Sequence, residues 1–247
     1  MPKKKIEKSK ICFIIATQGH GRGGHFWDLK TIVEALREHM ECTVINIGPC
    51  SSPVIDSIPV TVHNISFNGL NIVSAISQCI AIINDDGIEV LNLFDTRIYC
   101  ILDIASRITR CPLVLTKCGG PNPGRFYPVT DNLIVFSEEN QVYFLSHPNY
   151  AKSQICFLPN RVARPASDPV RIEKLLARLD PRKKTFLMIS RFCEHYKKNM
   201  VQAVNLIQHL NAEGKECQLL IVGTPEVPRV VDEIRLYCDD GVIMVNE

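Results

Sequence analysis

The sequence predicts an α/β protein made of two doubly wound parallel-sheet units, the second of them incomplete. Three observations carry that expectation. Short apolar runs alternate with stretches of helical period, the pattern of a parallel sheet covered on both faces. A Pro-containing stretch, Arg164-Pro165-Ala-Ser-Asp-Pro169, separates a long series of such alternations from a short one. The 247 residues, 46% of them hydrophobic, suffice for one large or two small cores. The expected units are therefore residues 1–164 and 165–247.

In the first unit, apolar runs too short for helices place strands at residues 11–16, 42–47, 60–62, 89–93, 113–116, 133–136 and 155–158. Helical periods between them predict helices near 24–39, 71–84, 96–108 and 138–146. In the second unit, strands are expected at Thr185, Gln218 and Val242, with helices between. One of these helices carries apolar residues at Ala203, Leu206, Ile207 and Leu210, the spacing of a half-buried face, with Asn199 as its N-cap. No internal repeat or low-complexity tract is present.

Composition excludes several classes. A net charge of +2 provides no field for nucleic acid. Eleven cysteines, odd in number, scattered and without a Cys-x-x-Cys pair, argue against a disulfide framework or a metal site. They read as reduced, mostly buried thiols of a cytoplasmic protein. The N-terminus is rich in lysine, but the apolar run that follows, residues 11–16, is too short for a signal-peptide core or a membrane span. The basic tail reads as solvated, with peripheral contact to an anionic leaflet as the alternative.

Three loops carry candidate chemistry. The first joins the strand at 186–189 to the helix after it and holds Arg191, Lys197 and Lys198. Cations before a helix N-terminus repel the positive end of the macrodipole, so their convergence points to an anion, and a diphosphate fits. The alternative is a solvated lysine pair with Arg191 on a neighbouring carbonyl. The second loop, Gly19-His-Gly21-Arg-Gly23-Gly24, satisfies Gly-x-Gly-x-x-Gly ahead of a helix. Read alone it suggests a dinucleotide site, yet the next strand ends at Ile47-Gly48-Pro49, without the acid that would hold a ribose. An NAD-linked oxidoreductase is thus the lesser reading. The third loop contains Lys117, Gly119, Gly120 and Arg125, after a strand at the sheet edge where ligands bind. It reads equally as a ligand loop, its cations holding a phosphate or polar acceptor, and as a rigid Pro/Gly turn.

The ordered motifs resemble family-4 glycosyltransferases, retaining enzymes of the two-domain GT-B fold with Rossmann-like halves. They are Val135-Phe-Ser137-Glu138, Leu158-Pro159-Asn160, Ile189-Ser190-Arg191, Lys198-Asn199 and Leu219-Leu-Ile-Val-Gly223. The resemblance implies transfer of a sugar from a nucleotide diphosphate sugar to the hydroxyl of a glycan or lipid-linked acceptor, in polysaccharide or glycolipid synthesis, without a cofactor or metal. It implies Arg191 and Lys198, with Lys197, at the donor diphosphate. Gly23 and Gly24, with Gly119 and Gly120, would lie in cleft loops. His25, Lys117 and Arg125 would then be acceptor or sugar contacts, although His25 also reads as a capping or packing residue. Pro159-Asn160-Arg161 stands where the family has Pro-Asn-Gly, so Asn160 is expected in a left-handed conformation. The family's paired acidic residues lie beyond the position of Glu247. Such a chain is expected to be inactive by itself, with Val222, Val231, Ile234 and Ile243 uncovered. A non-catalytic nucleotide- or glycan-binding remnant is the alternative.

Overall fold

The computed structural model describes residues 8–19, 21–124, 127–159, 167–239 and 241–246. The chain forms two compact units, Met1–Arg164 and Pro165–Glu247. Arg125, Asn160, Arg161 and the first half of the Pro-containing stretch fall outside the described residues.

The first unit is built on seven strands: β1 (Lys10–Ala16), β2 (Glu41–Gly48), β3 (Thr61–Ser66), β4 (Val90–Leu93), β5 (Leu113–Lys117), β6 (Asn132–Val135) and β7 (Gln154–Phe157). All pairings are parallel, in the order β3-β2-β1-β4-β5-β6-β7. β1 sits centrally and is apolar on both faces: Cys12, Phe13, Ile14 and Ile15 are all buried, as a strand covered from two sides requires. On one face pack α1 (Gly24–Leu36) and the short α2 (Pro53–Asp56), through Phe26, Leu29, Val33, Val54 and Ile55. On the other pack α3 (Ile72–Asp85), α4 (Tyr99–Thr109) and α5 (Glu138–Ser146), through Ala75, Cys79, Ile83, Ile101, Leu102, Ala105 and Phe144. Helix starts follow local chemistry. Ser137 caps α5 by accepting from the Asn140 N–H, and Glu138 and Glu139 complement the dipole in its first turn.

The order of strands reverses between β1 and β4, so the loops after these two strands diverge and leave a crevice at their carboxyl ends. That edge is where ligands of open α/β sheets bind.

The second unit holds β8 (Lys184–Ile189), β9 (Cys217–Gly223) and β10 (Val242–Asn246), paired in parallel in the order β10-β9-β8. Helices α7 (Glu194–Ala212) and α8 (Pro228–Arg235) cover one face through Met200, Val204, Ile207, Val230, Val231 and Ile234. A further helix, α6 (Pro169–Leu176), has no buried residue; Asp168 caps it. β8 is an edge strand among the described residues, and Leu187 and Ile189 are 60% and 78% exposed.

Several expectations need correction. Asn199 is not an N-cap: α7 begins at Glu194, capped by Cys193, so Lys197 and Lys198 lie inside its first turns. Leu206 is 53% exposed, because the buried face of α7 runs through Met200, Val204 and Ile207 instead. Val231 and Ile234 are buried within the second core, and exposed apolar side chains lie instead on β8, on α6 and at Leu236. Only Cys12, Cys79, Cys111 and Cys217 of the eleven thiols are buried, since most of the others sit on loops, helix surfaces or strand ends. The helix expected at 96–108 divides into a 3-10 turn, Thr96–Ile98, and α4.

Candidate functional site

At the carboxyl end of the second sheet, a backbone contact shapes the loop that carries Arg191. The Ser190 N–H donates to the Val222 carbonyl at 3.0 Å, extending the ladder one step past β8. The Ser190 carbonyl in turn lies where a side chain on Gly223 would be, 1.6 Å from an ideal Cβ. Only glycine permits this approach. Phe192 then turns inward, fully buried, while its N–H and carbonyl bond to the loop after β9: Phe192 N–H to the Thr224 carbonyl, and Val227 N–H to the Phe192 carbonyl, both at 3.0 Å. Arg191, between an anchored Ser190 and an anchored Phe192, projects outward with its side chain 49% exposed.

Its guanidinium is not alone. Nη1 donates to Glu226 Oε1 at 3.2 Å and Nη2 to the Tyr196 hydroxyl at 3.3 Å, and the group lies 5.3 Å from the Tyr196 ring centroid. The hydrogen bond to Tyr196, then that to Glu226, raises the guanidinium further above its ordinary range. Lys197 bonds to Glu233 and lies 3.8 Å from Glu194, while Arg229 bonds to both carboxylates at 2.7 and 3.0 Å. These four side chains form a ring of alternating charge joining the first turns of α7 to α8. Lys198 is exposed and has no ion pair among the described residues. The three cations of the sequence reading are therefore distinct in state: Arg191 is held, Lys197 is engaged between helices, and Lys198 is open to solvent.

The same backbone device recurs in the first unit. The Thr17 N–H donates to the Ile47 carbonyl at 3.1 Å, and the Thr17 carbonyl lies 2.1 Å from where a Cβ on Gly48 would be. Behind it, Thr17 Oγ1 bonds Asn46 Oδ1 at 2.5 Å, and Asn46 Nδ2 reaches the Asn64 side chain and the Cys50 carbonyl. Gly19 and Gly21 have positive φ, of 77° and 59°. Gly21 is pressed against Ser52, whose hydroxyl donates to its carbonyl at 2.6 Å, so that glycine serves a packing contact rather than a close approach of phosphate. Gly23 caps α1, Gly24 opens it, and His25 packs its ring 4.3 Å from that of Phe26.

In the third loop, Gly119 and Gly120 both have positive φ, 63° and 77°, and turn the chain sharply after β5. The Lys117 ammonium folds back onto the Gly119 carbonyl, and partial burial pushes it below its ordinary range. Cys118, beside it, is pushed up to about 12 by burial, with the charges of Asp28 and Asp95 adding to the effect.

Sequence reasoning missed a group at the strand-order reversal. Asp95, one residue past Phe94, accepts from the Arg97 N–H and Nε at 2.9 Å, and Arg97 Nη1 reaches across to Gln18 Oε1 at 2.7 Å. Arg97 thus ties the loop after β4 to the loop after β1. An acid immediately after the central strand β4 was the available signal. Glu226 and Glu233 were missed too, because their partners lie 35 and 36 residues away, and so was Tyr196, five residues from Arg191.

No family model matches the sequence, and no curated protein matches it. Solved structures do. A glycosyltransferase from Rickettsia africae ESF-5 superimposes with a TM-score of 0.72 at 13% identity, covering 97% of this chain and 69% of that one. Anabaena Alr3699/HepE in complex with UDP and glucose gives 0.65 at 14% identity, covering 96% and 69%. The UDP-GlcNAc 2-epimerase of Methanocaldococcus jannaschii gives 0.61 at 11% identity, covering 96% and 73%. The class that fold and topology define is an α/β protein with the GT-B-like pair of parallel-sheet units. At these identities the likeness is one of fold. None of the described helices is long and apolar enough to cross a membrane.

Proposed function

We propose that the protein is a glycosyltransferase that moves a sugar from a nucleoside diphosphate sugar to a hydroxyl acceptor, with retention, as in family 4. The observation that carries this reading is Arg191 between two backbone anchors at the carboxyl edge of β8, with the exposed Lys198 on the helix that follows. Fixed cations at that edge would neutralise charge on a departing diphosphate. The likeness to a UDP-bound fold supports the same reading. In it, the first unit serves the acceptor through the loops at Gly23-Gly24 and Gly119-Gly120, and the second serves the donor.

The test is differential binding. Arg191→Ala is expected to weaken UDP by about 1.5–3 kcal/mol, the range of a hydrogen bond to a charged group, and to leave uridine unaffected. Isothermal titration of both ligands into the full chain measures this. An equal loss for both removes Arg191 from the phosphate site, and transfer assays with UDP-, GDP- and ADP-sugars then address turnover.

A further inference from the structure

We propose that Glu226 is an internal occupant of the anion site, a carboxylate that an incoming diphosphate must displace from Arg191. The inference rests on the donor-site reading above and adds to it a residue that sets the site's affinity.

The geometry points this way on three counts. Glu226 is on the loop after β9, held by its own N–H to the Thr224 carbonyl at 3.1 Å, and that loop is bonded at both ends to Phe192. Its carboxylate, 20% exposed, therefore has little freedom to leave, whereas Arg191 is on the more exposed side of the pair. The carboxylate that Arg191 holds is on the loop at the carboxyl edge of the sheet. Lys197, inside α7, has its partners on helices instead, Glu194 at the start of α7 and Glu233 on α8. Finally, the two groups that Arg191 contacts, a carboxylate and the hydroxyl of Tyr196, accept from Nη1 and Nη2, two of the N–H donors that a bound phosphate would otherwise engage. A carboxylate next to a phosphate site also repels the ligand directly.

Two consequences follow. Removing the charge loosens the hold on the Nη1 edge of the guanidinium and lessens repulsion, so affinity for a diphosphate rises. The gain requires Arg191, because the carboxylate acts by occupying that side chain.

The experiment titrates UDP, inorganic pyrophosphate and uridine into four forms of the full chain: unaltered, Glu226→Gln, Arg191→Ala and the double variant. Glu226→Gln is expected to bind UDP and pyrophosphate about threefold more tightly, a factor in the range of a partly exposed ion pair. Uridine affinity should not change. In the Arg191→Ala background the same substitution should give a clearly smaller gain. Glu226→Ala, which removes both the charge and the hydrogen bond, should move affinity in the same direction and decides the matter if the glutamine variant folds poorly. Unchanged or weaker diphosphate binding in both Glu226 variants overturns the proposal, as does an equal gain without Arg191. If Arg191→Ala weakens UDP while the Glu226 variants gain nothing, the donor site stands and the occupant does not. If neither UDP nor pyrophosphate binds any form, both fall.

Discussion

At the scale of single residues, the two adjacent lysines separate by what they touch. Lys197 closes a charge ring with Glu194, Arg229 and Glu233, so its role is to hold the first turns of α7 against α8. Lys198, one position on, is open to solvent. Lys197→Ala is expected to lower the melting temperature without changing UDP affinity. Lys198→Ala should leave melting unchanged and weaken UDP a few-fold, an effect that shrinks as salt rises. Thermal denaturation and titration at two ionic strengths check both, and the opposite assignment would place Lys197 in the phosphate site. The sequence displayed all three cations but not their partners. A run of Lys-Lys is the same in letters whether its neighbours are solvent or a carboxylate on the next helix, and Glu233 is brought near only by folding.

At the scale of elements, each unit repeats one construction: a strand, a polar residue whose N–H extends the ladder, and a neighbouring strand that ends in glycine beneath its carbonyl. Thr17 over Gly48 and Ser190 over Gly223 are the two cases. The obstructing atoms are backbone, so a methyl group cannot be accommodated by a rotamer change. Gly48→Ala and Gly223→Ala are each expected to cost about 1–3 kcal/mol, the scale of overpacking. Gly24→Ala, whose Cβ would meet nothing within 4 Å at the start of a helix, should be neutral or stabilising by about 0.5–1 kcal/mol. Urea denaturation of the three variants measures this, and equal costs would refute the contact argument. Strands such as β1 and β2 were legible because a parallel strand covered on both faces is a continuous apolar run. The start of α7 was not. Its cap, Cys193, is a poor capping residue with no side-chain bond, and Asn199 carried a false signal inside the helix. The 3-10 turn before α4 was hidden likewise, since its periodicity merges with that of the helix.

At the scale of the whole molecule, the units differ in how much they bury. The first has a core on each face of its sheet, whereas the second has one core, beneath α7 and α8, and leaves Leu187 and Ile189 of β8 exposed. The second is therefore expected to open first. Hydrogen exchange followed by mass spectrometry should show peptides from β8 losing protection before those from β1, and urea should produce two transitions rather than one. Equal protection and a single transition would mean that the units unfold as one. Parallel sheets of both units could be anticipated from alternating patterns, but not the order of their strands, because pairing is set by how the chain folds and not by its local period. The glycines beneath Thr17 and Ser190 bear finally on descent. They answer to main-chain contacts that any lineage with this backbone must satisfy, and no change of side chain elsewhere relieves them. A saturation library read out by abundance alone should accordingly leave Gly48 and Gly223 among the least replaceable sites, far less tolerant than Lys198.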